Sequence, residues 1–477
     1  AVIALMAGLL FGLHPLAVEP VAWIGQRKTL LAAFFSLASL SCYVRYARRG
    51  NVWLLTFTGV LFVLALLSKP TSIPLPIVML LLDYWPLNRI SRRALVEKIP
   101  HVLMSAVAAV VTVVSQEHTL GVVTPARATM GQAALAIAFT PACYLKRIVY
   151  PAHISAYYPY PSPFTLANPE VAVLTILGVF VALAAILSWR VTRIAMVSGL
   201  IFLTLLAPTL GLVRFTEAVA ADRFIYLPMI GILIAFSAAV RIVRLRSNSP
   251  RSNAAWLLGL SLLTFVLAKQ TREQIGHWAT THSLARHMLR YAPDSTVVWS
   301  QYAFALADAG LREEAVDAYR RALQLAPTNR IALNNYAVLL ENLGRHHEAR
   351  AVLERALAAW PDDAWTHFHL ANLLVGGERL ADAVEHYRSA LRVNPDQPEV
   401  RYNLAVALVM MNRADEAMVE CEAALAIRPD ADVHCLMGTL MQHSGRAADA
   451  MAHFQEALRL DPTHARTLTA IEAARHP

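Results

Sequence analysis

Prolines recur at a fixed interval through the second half of the chain. Pro293, Pro327, Pro361, Pro395 and Pro429 are spaced 34 residues apart, and Pro462 follows after 33 more. A period of roughly 20–50 residues is typical of a repeat protein, in which one short unit cannot bury its apolar face alone. This half must therefore fold as a stack in which each unit packs against its neighbours.

Small residues recur within each unit where two helices would touch. They are Ala303, Ala337, Ala371, Ala405 and Gly438 on a first helix, and Ala315, Ala349, Ala383, Ala417 and Ala450 on a second. A 34-residue helix–turn–helix unit of this kind is the tetratricopeptide repeat. We predict a repeat domain over 271–477, with a half-repeat at 271–292, five repeats over about 293–462 and a capping helix at 463–477.

One ladder of polar side chains follows the first helices of these repeats. Its members are Gln301, Asn335, His369 and Asn403. A side-chain amide offers both a donor and an acceptor, so such a ladder could bind the backbone of an extended acceptor peptide. Asn is also common here in ordinary repeats, and the sequence leaves both interpretations open.

The first half is an apolar region of another kind. Residues 1–270 contain apolar runs near 29–47, 52–67, 72–85, 99–115, 171–189, 194–213, 223–243 and 254–269. A helix needs about 20 predominantly apolar residues to cross a bilayer. The sequence therefore predicts an all-α protein in which a multipass helical membrane domain over 1–270 precedes the α-solenoid, with the lipid bilayer as a partner.

Charge is divided unevenly between the halves. Residues 1–270 hold 22 Lys and Arg against 7 Asp and Glu, whereas residues 271–477 hold 20 against 26. The positive excess belongs to membrane loops, so we expect no nucleic-acid partner. Basic clusters at 45–49, 89–98, 190–193 and 241–251 mark the cytoplasmic side. A consistent topology then requires 130–149 to lie along the outer interface without crossing.

This topology gathers ionisable residues of both signs on the non-cytoplasmic side. They are His14, Glu19, Arg27, Lys28, Lys69, Glu117, His118, Glu170, Arg214, Glu217, Asp222 and Arg223, with the neutral Gln116 among them, whereas Asp83 and Glu97 face inward. The stretch 14–28 also contains two prolines, which forbid a simple continuous helix. A plain hairpin whose basic side chains extend to the interface is the alternative for that stretch alone.

Transfer of a sugar from a polyprenyl phosphate would use such a cluster. Cations hold the leaving phosphate, and a carboxylate removes the proton of the acceptor hydroxyl. Arg suits phosphate because its planar guanidinium binds two oxygens at once. The sequence has no Gly-rich phosphate loop of either common type, which disfavours a nucleotide-dependent enzyme.

Several motifs in order resemble one family. They are His14-Pro-Leu-Ala-Val-Glu-Pro-Val-Ala-Trp23 with Gln26-Arg-Lys28, Leu67-Ser-Lys-Pro70, Leu82-Asp-Tyr-Trp-Pro-Leu87, Tyr157-Tyr-Pro-Tyr-Pro161 and Ala221-Asp-Arg-Phe-Ile-Tyr-Leu-Pro228. The chain resembles bacterial relatives of the transmembrane-and-TPR protein O-mannosyltransferases, which are GT-C glycosyltransferases. The resemblance implies a polyprenyl-phosphate sugar as co-substrate, no tightly bound cofactor and a protein acceptor recruited by the repeats.

The resemblance also implies roles for individual residues. His14, Arg27, Lys28, Lys69 and Arg223 would bind the donor phosphate, while Glu19 and Asp222 would orient the reacting groups. The acidic pair of GT-C enzymes would precede residue 1, so we expect the catalytic base there and expect this stretch alone to be inactive. Where relatives often carry an acid after the Arg-Lys pair, this chain has Thr29.

Two other functions remain open from the sequence. A membrane scaffold would use the repeats to assemble envelope proteins without catalysis, and a lipid-linked oligosaccharide flippase or polymerase would carry charges inside its helices. His277, His282 and His287 are spaced too awkwardly for a metal, and we predict no metal site. The Ala- and Arg-rich composition favours the bacterial inner membrane, with the repeats on the periplasmic side.

Overall fold

The computed structural model describes residues 2–119, 130–210, 218–246, 250–377 and 379–475. Arg214, Glu217 and Glu378 lie outside these ranges, and the side chains of Gln116, Glu117 and His118 are not described. The chain forms two compact units, Ala1–Pro293 and Asp294–Pro477. Helices dominate both units, and the predicted all-α class is confirmed.

The first unit is built from helices of very unequal length. They are α1 (Val2–Gly12), α2 (Val18–Ala22), α3 (Arg27–Arg49), α4 (Val52–Ser68), α5 (Leu75–Tyr84), α6 (Arg92–Val96), α7 (Ile99–Thr119), α8 (Met130–Val149), α9 (Pro169–Leu187), α10 (Arg193–Leu206), α11 (Asp222–Ile225), α12 (Met229–Arg246), α13 (Pro250–His277) and α14 (Thr281–Leu289). Two short strands, β1 (Tyr158–Pro159) and β2 (Ala218–Ala220), pair antiparallel.

Some of these helices are long and apolar enough to cross a membrane. Among the described residues they are Ile24–Arg49, Arg92–Ser115, Pro169–Arg190 and Ala254–His277, and a fifth results if Ile3–Gly12 and Pro15–Ala22, bent by 60°, form one span. Shorter apolar helices are Val52–Ser68, Pro70–Tyr84, Arg193–Thr209 and Met229–Val243. Helix α8 is in neither group, although it is a single helix of 20 residues.

Small residues let neighbouring helices of the first unit approach closely. A Cβ added to Gly178 of α9 would lie 1.7 Å from the carbonyl oxygen of Ala138 on α8. On α12, a Cβ at Gly231 would lie 2.6 Å from the carbonyl oxygen of Ser198 on α10. Membrane helices associate through such small-residue contacts, because lipid supplies no hydrophobic drive between them.

A buried polar network lies near the C-terminal end of α3. The Tyr43 hydroxyl donates to Asp83, whose carboxylate also pairs with Lys98. Arg89 lies 2.6 Å from Glu97, which accepts a further bond from Tyr46. Tyr43 is roughly 24 Å along α3 from Arg27, taking about 1.5 Å per residue. Asp83 and Glu97 therefore cluster far from the start of that helix.

The second unit consists of helix pairs followed by a closing helix. The pairs are α15 (Thr296–Asp308) and α16 (Arg312–Leu325), α17 (Arg330–Asn342) and α18 (His346–Ala359), α19 (Ala364–Gly376) and α20 (Leu380–Val393), α21 (Pro398–Met410) and α22 (Ala414–Ile427), and α23 (Ala431–His443) and α24 (Ala447–Leu460), with α25 (Ala465–Arg475) last. The recurring alanines are buried between the helices. Asn412 takes the positive φ of 58° that glycine adopts in other turns.

The division between the units differs from the predicted one. The prediction ended the membrane domain at residue 270, whereas residues 271–293 belong to the first unit. The Thr271 hydroxyl donates to the Leu13 carbonyl at 2.7 Å, and His287 Nε2 lies 2.8 Å from the Ile154 carbonyl oxygen. These contacts tie the half-repeat to the chain before it.

Candidate functional site

The site begins at the bend between α1 and α2. Pro15 opens a short 3-10 helix, Pro15–Ala17, and His14 caps it by accepting from the Leu16 amide at 3.2 Å. The other ring nitrogen of His14 lies 3.1 Å from the Ile148 carbonyl oxygen. Both nitrogens are thus used within the protein, and His14 holds the bend.

Glu19 and Arg223 form the centre of the site. Glu19 is 1% exposed, and its Oε1 lies 2.5 Å from the guanidinium of Arg223. Its Oε2 accepts from the backbone amide of the same residue at 3.1 Å. The guanidinium also lies between aromatic rings, 5.5 Å from the Trp23 ring and 4.8 Å from the Phe224 ring. A buried carboxylate therefore fixes the position of an arginine that retains partial exposure.

Lys69 approaches the same place from the turn between α4 and α5. Its Nζ donates to Thr29 Oγ1 at 2.7 Å and lies 3.5 Å from Gln26 Oε1. Burial, followed by the charges of Arg223 and Lys28, lowers the pKa of Lys69 to about 8, while the Glu19 carboxylate acts in the opposite direction. Lys69 is thus a cation whose immediate oxygen partners carry no charge.

Asp222 lies in a separate buried pocket beside this centre. It is 1% exposed, and its Oδ1 accepts from the Tyr158 hydroxyl at 2.9 Å. Burial, followed by the Glu19 carboxylate, raises the pKa of Asp222 well above its usual range. The Arg147 guanidinium stacks over the Tyr158 ring at 3.6 Å. Asp222 is therefore a buried carboxyl group held by the Tyr158 hydroxyl beside the Glu19–Arg223 pair.

The other site residues predicted for this region, Arg27, Lys28 and Glu170, are exposed, unlike the buried Glu19 and Asp222. Arg27 and Lys28 are exposed at the start of α3, and Lys28 is near enough to affect Lys69. Glu170 is exposed and pairs with Lys146 at 3.3 Å. The structure thus brings together Glu19, Lys69, Asp222 and Arg223, with Lys28 close enough to act on Lys69.

Sequence reasoning missed four residues of this arrangement. Gln26 and Thr29 hold Lys69, while Arg147 and Tyr158 surround Asp222. In the motif over 157–161, Tyr158 is buried where strand β1 pairs with β2, just before Asp222. The only sequence signal was that the motifs at 157–161 and 221–228 occur in this order, because neither motif alone predicts that β1 pairs with β2.

The repeat ladder is partly engaged within the array. Gln301 is exposed, Asn335 is half-buried, and His369 stacks on the Trp365 ring at 3.8 Å. The Asn403 amide donates to Asn372 Oδ1 at 3.1 Å. Asn403 therefore supports the fold of its repeat as well as lying on the ladder.

The chemistry available in the first unit is recognition of an anion. Arg223, Lys69 and the neighbouring Lys28 are cations, and the Glu19 carboxylate among them is already paired with Arg223. Charge-assisted bonds from such groups to phosphate are shorter and stronger than neutral ones. Across the described residues, no group of three or more His, Cys, Asp or Glu side chains is arranged to hold a metal ion.

Comparisons with known proteins separate the two halves of the chain. Residues 1–115 match the family described as dolichyl-phosphate-mannose-protein mannosyltransferase. Three tetratricopeptide-repeat families match residues 297–329, 328–396 and 374–440. None of the curated proteins matches the sequence.

Several solved structures are similar to part of the chain. YrrB, a TPR protein with an unusual peptide-binding site, is 21% identical, with a TM-score of 0.36 over 39% of this chain and 97% of that one. PilF of Pseudomonas aeruginosa is 22% identical, with a TM-score of 0.37 over 46% of this chain and 96% of that one. MamA MSR-1 is 26% identical, with a TM-score of 0.32 over 36% and 98%.

Proposed function

We propose that this chain, which joins a mannosyltransferase segment to tetratricopeptide repeats as the transmembrane-and-TPR protein O-mannosyltransferases do, transfers a mannose-like hexose from a polyprenyl phosphate to a protein hydroxyl. The observation that carries the proposal is the meeting of Glu19, Arg223 and Lys69 at a bend between apolar helices. A lipid-linked phosphate would reach such a place along the membrane.

Each residue has a distinct part in this proposal. Lys69 and the exposed Lys28 and Arg27 bind the donor phosphate, which becomes the leaving group when the sugar is transferred. Arg223 adds charge from a position fixed by Glu19, so it need not reorganise when the phosphate gains charge in the transition state. Asp222 is a positioning residue, because its carboxyl group is enclosed by Tyr158 and its own helix.

The direct test is transfer from radiolabelled polyprenyl-phosphate mannose by the full-length protein in lipid vesicles. Lys69→Ala and Arg223→Ala should reduce transfer at least about tenfold, because a hydrogen bond to a charged group contributes about 1.5–3 kcal/mol. Lys146→Ala is the matched control, since Lys146 is an exposed lysine of the same unit paired only at the surface. Equal transfer by all variants would refute the assigned site.

The same assay distinguishes the scaffold alternative. A scaffold would show no transfer with any polyprenyl-phosphate sugar, while its repeats would still bind peptides. The wild-type protein, acting on a peptide rich in Ser and Thr, must therefore transfer label for the enzymatic proposal to stand.

Recruitment of the acceptor by the repeats is a second part of the proposal. The exposed Gln301 and half-buried Asn335 offer amides at equivalent places in successive repeats. Gln301→Ala with Asn335→Ala should raise the KM for a protein acceptor without changing transfer to a short soluble acceptor. An unchanged KM would remove the ladder from the mechanism.

The proposal also requires the donor site and the repeats to share the non-cytoplasmic side of a bacterial inner membrane. Mannose-bearing lipid and a secreted acceptor could meet only there. A C-terminal reporter that works solely in the cytoplasm should therefore remain silent, and an active reporter would contradict this localisation.

A further inference from the structure

Two pairs of histidines occupy equivalent places in the repeat array. His367 Nδ1 lies 2.9 Å from His386 Nδ1, and His434 Nδ1 lies 2.9 Å from His453 Nδ1. The ring centroids are 5.1 Å apart in one pair and 5.2 Å apart in the other, with interplanar angles of 36° and 38°. Each pair joins the first helix of a repeat to its second helix. The same geometry is therefore built twice.

Stacking of the repeats does not require histidine at these places. In the repeat between the two pairs, Arg401 and Glu420 occupy them and form an ion pair at 2.7 Å. In the repeat before the first pair, the corresponding residues are Leu333 and Val352. The fold accepts an ionic or an apolar pair here, so two histidine pairs need a reason beyond packing.

The hydrogen bonds of His367 show which of its ring nitrogens has a free lone pair. His367 Nε2 lies 2.9 Å from the Pro361 carbonyl oxygen, so this nitrogen carries the proton. The lone pair of His367 Nδ1 then faces His386. Burial lowers the pKa of His386, and likewise those of His434 and His453, which favours the neutral imidazole that metals bind.

We propose that each histidine pair binds one divalent transition-metal ion through its two Nδ1 atoms, with Cu²⁺ bound most tightly. With metal–nitrogen bonds of about 2.0–2.1 Å, a nitrogen separation of 2.9 Å subtends about 90° at the metal. That angle suits the square-planar or octahedral geometry of Cu²⁺ and Ni²⁺. Tetrahedral Zn²⁺ would need the two nitrogens farther apart.

The proton balance of this binding is simple. In the metal-free pair, His386 Nδ1–H donates to His367 Nδ1. On binding, that proton moves to His386 Nε2 through solvent, so both Nδ1 lone pairs face the metal and no net proton is released from the neutral pair. Because the described residues offer no cluster of three ligands, water completes the coordination of each ion.

Charges of both signs surround the pairs. Asp382 precedes His386 by one helical turn and Asp449 precedes His453 in the same way, although each also pairs with an arginine, Arg379 or Arg446. Glu354 and Glu422 act on His386 and His453 from neighbouring helices.

The test is titration of the full-length protein in detergent with Cu²⁺, followed by electron paramagnetic resonance and by thermal unfolding. Wild type should bind two ions with nitrogen hyperfine structure and unfold at a higher temperature with Cu²⁺. His386→Gln should lose one ion and His386→Gln with His453→Gln should lose both, whereas the matched control Glu420→Gln should keep both.

His367→Gln provides a second test of the first site should His386→Gln unfold. Ni²⁺ should bind more weakly than Cu²⁺, and Zn²⁺ more weakly still. Binding of two Cu²⁺ by the double variant with unchanged nitrogen signals would overturn the proposal, as would tighter binding of Zn²⁺ than of Cu²⁺.

Discussion

Lys69 shows how one substitution can set the charge of a site. Its closest oxygen partner is the Thr29 hydroxyl, at the position where relatives of the resembled family often carry an acid. A carboxylate there would neutralise the ammonium and raise its pKa. Threonine leaves the pKa of Lys69 at about 8, so the cation retains its attraction for an incoming phosphate.

Donor binding should consequently weaken in mildly alkaline solution. Lys69 loses its proton as the pH rises through about 8, and the neutral amine no longer attracts phosphate. The kcat/KM for the donor should fall by up to about tenfold per pH unit above that value. Lys69→Arg should flatten the profile, because arginine stays protonated; identical profiles for both proteins would exclude Lys69.

Folding stability should depend on pH in the opposite sense. The pKa of Lys69 is lowered from its ordinary value of 10.5 to about 8, so between these values the unfolded chain binds more protons than the folded one. Stability therefore rises with pH across that window as far as Lys69 contributes. Loss of donor binding above pH 8 thus cannot be ascribed to unfolding through this residue.

At the scale of elements, the Glu19–Arg223 pair connects α2 to α11. Breaking a buried ion pair by removing one partner costs about 3–5 kcal/mol, because the other charge remains buried. Glu19→Gln should therefore lower the unfolding temperature of the full-length protein in detergent and abolish transfer. Combining it with Arg223→Gln should restore much of the stability but none of the activity. Full activity of the double variant would show that the pair is structural only.

The contact between α8 and α9 is a second element-scale constraint. A Cβ at Gly178 would meet the Ala138 carbonyl oxygen at 1.7 Å, so Gly178→Ala must push the helices apart. We expect a loss of about 1–3 kcal/mol and reduced transfer, because α8 also carries Arg147. At Gly259 an added Cβ meets nothing within 4 Å, so Gly259→Ala is the control. Equal thermal stability of the two variants would contradict the close packing.

Elements with a local cause were predictable from the sequence, whereas contacts over long separations were not. Pro15 predicts the bend before α2, and the 34-residue period predicts each helix pair of the repeat array. The Tyr158–Asp222 hydrogen bond joins residues 64 apart, and no periodicity specifies such a partner. The two histidines of each pair are 19 residues apart in the sequence. They come into contact only because the two helices of one repeat pack face to face.

For the whole molecule, the boundary between the units lies at residue 293 and not at 270 because sequence patterns do not predict long-range contacts. The apolar run ending at 269 suggested that the membrane part stops there, since composition changes at that point. Burial follows contacts instead, and α14 packs through His287 against the backbone at Ile154. Residues 271–293 have the sequence character of a repeat but complete the first unit.

The position of this boundary decides where the chain can be cut. A chain ending at Pro293 keeps the Thr271–Leu13 and His287–Ile154 hydrogen bonds, whereas one ending at residue 270 loses both. The longer form should match the unfolding temperature of the membrane unit in the full-length protein and retain transfer to a short soluble acceptor. The shorter form should unfold at a lower temperature, because the carbonyl groups of Leu13 and Ile154 lose their hydrogen-bond partners. His287→Gln in the longer form removes only the His287–Ile154 hydrogen bond. Its unfolding temperature should lie between those of the longer and the shorter form. If both truncated forms were equally stable, the half-repeat would belong with the solenoid after all.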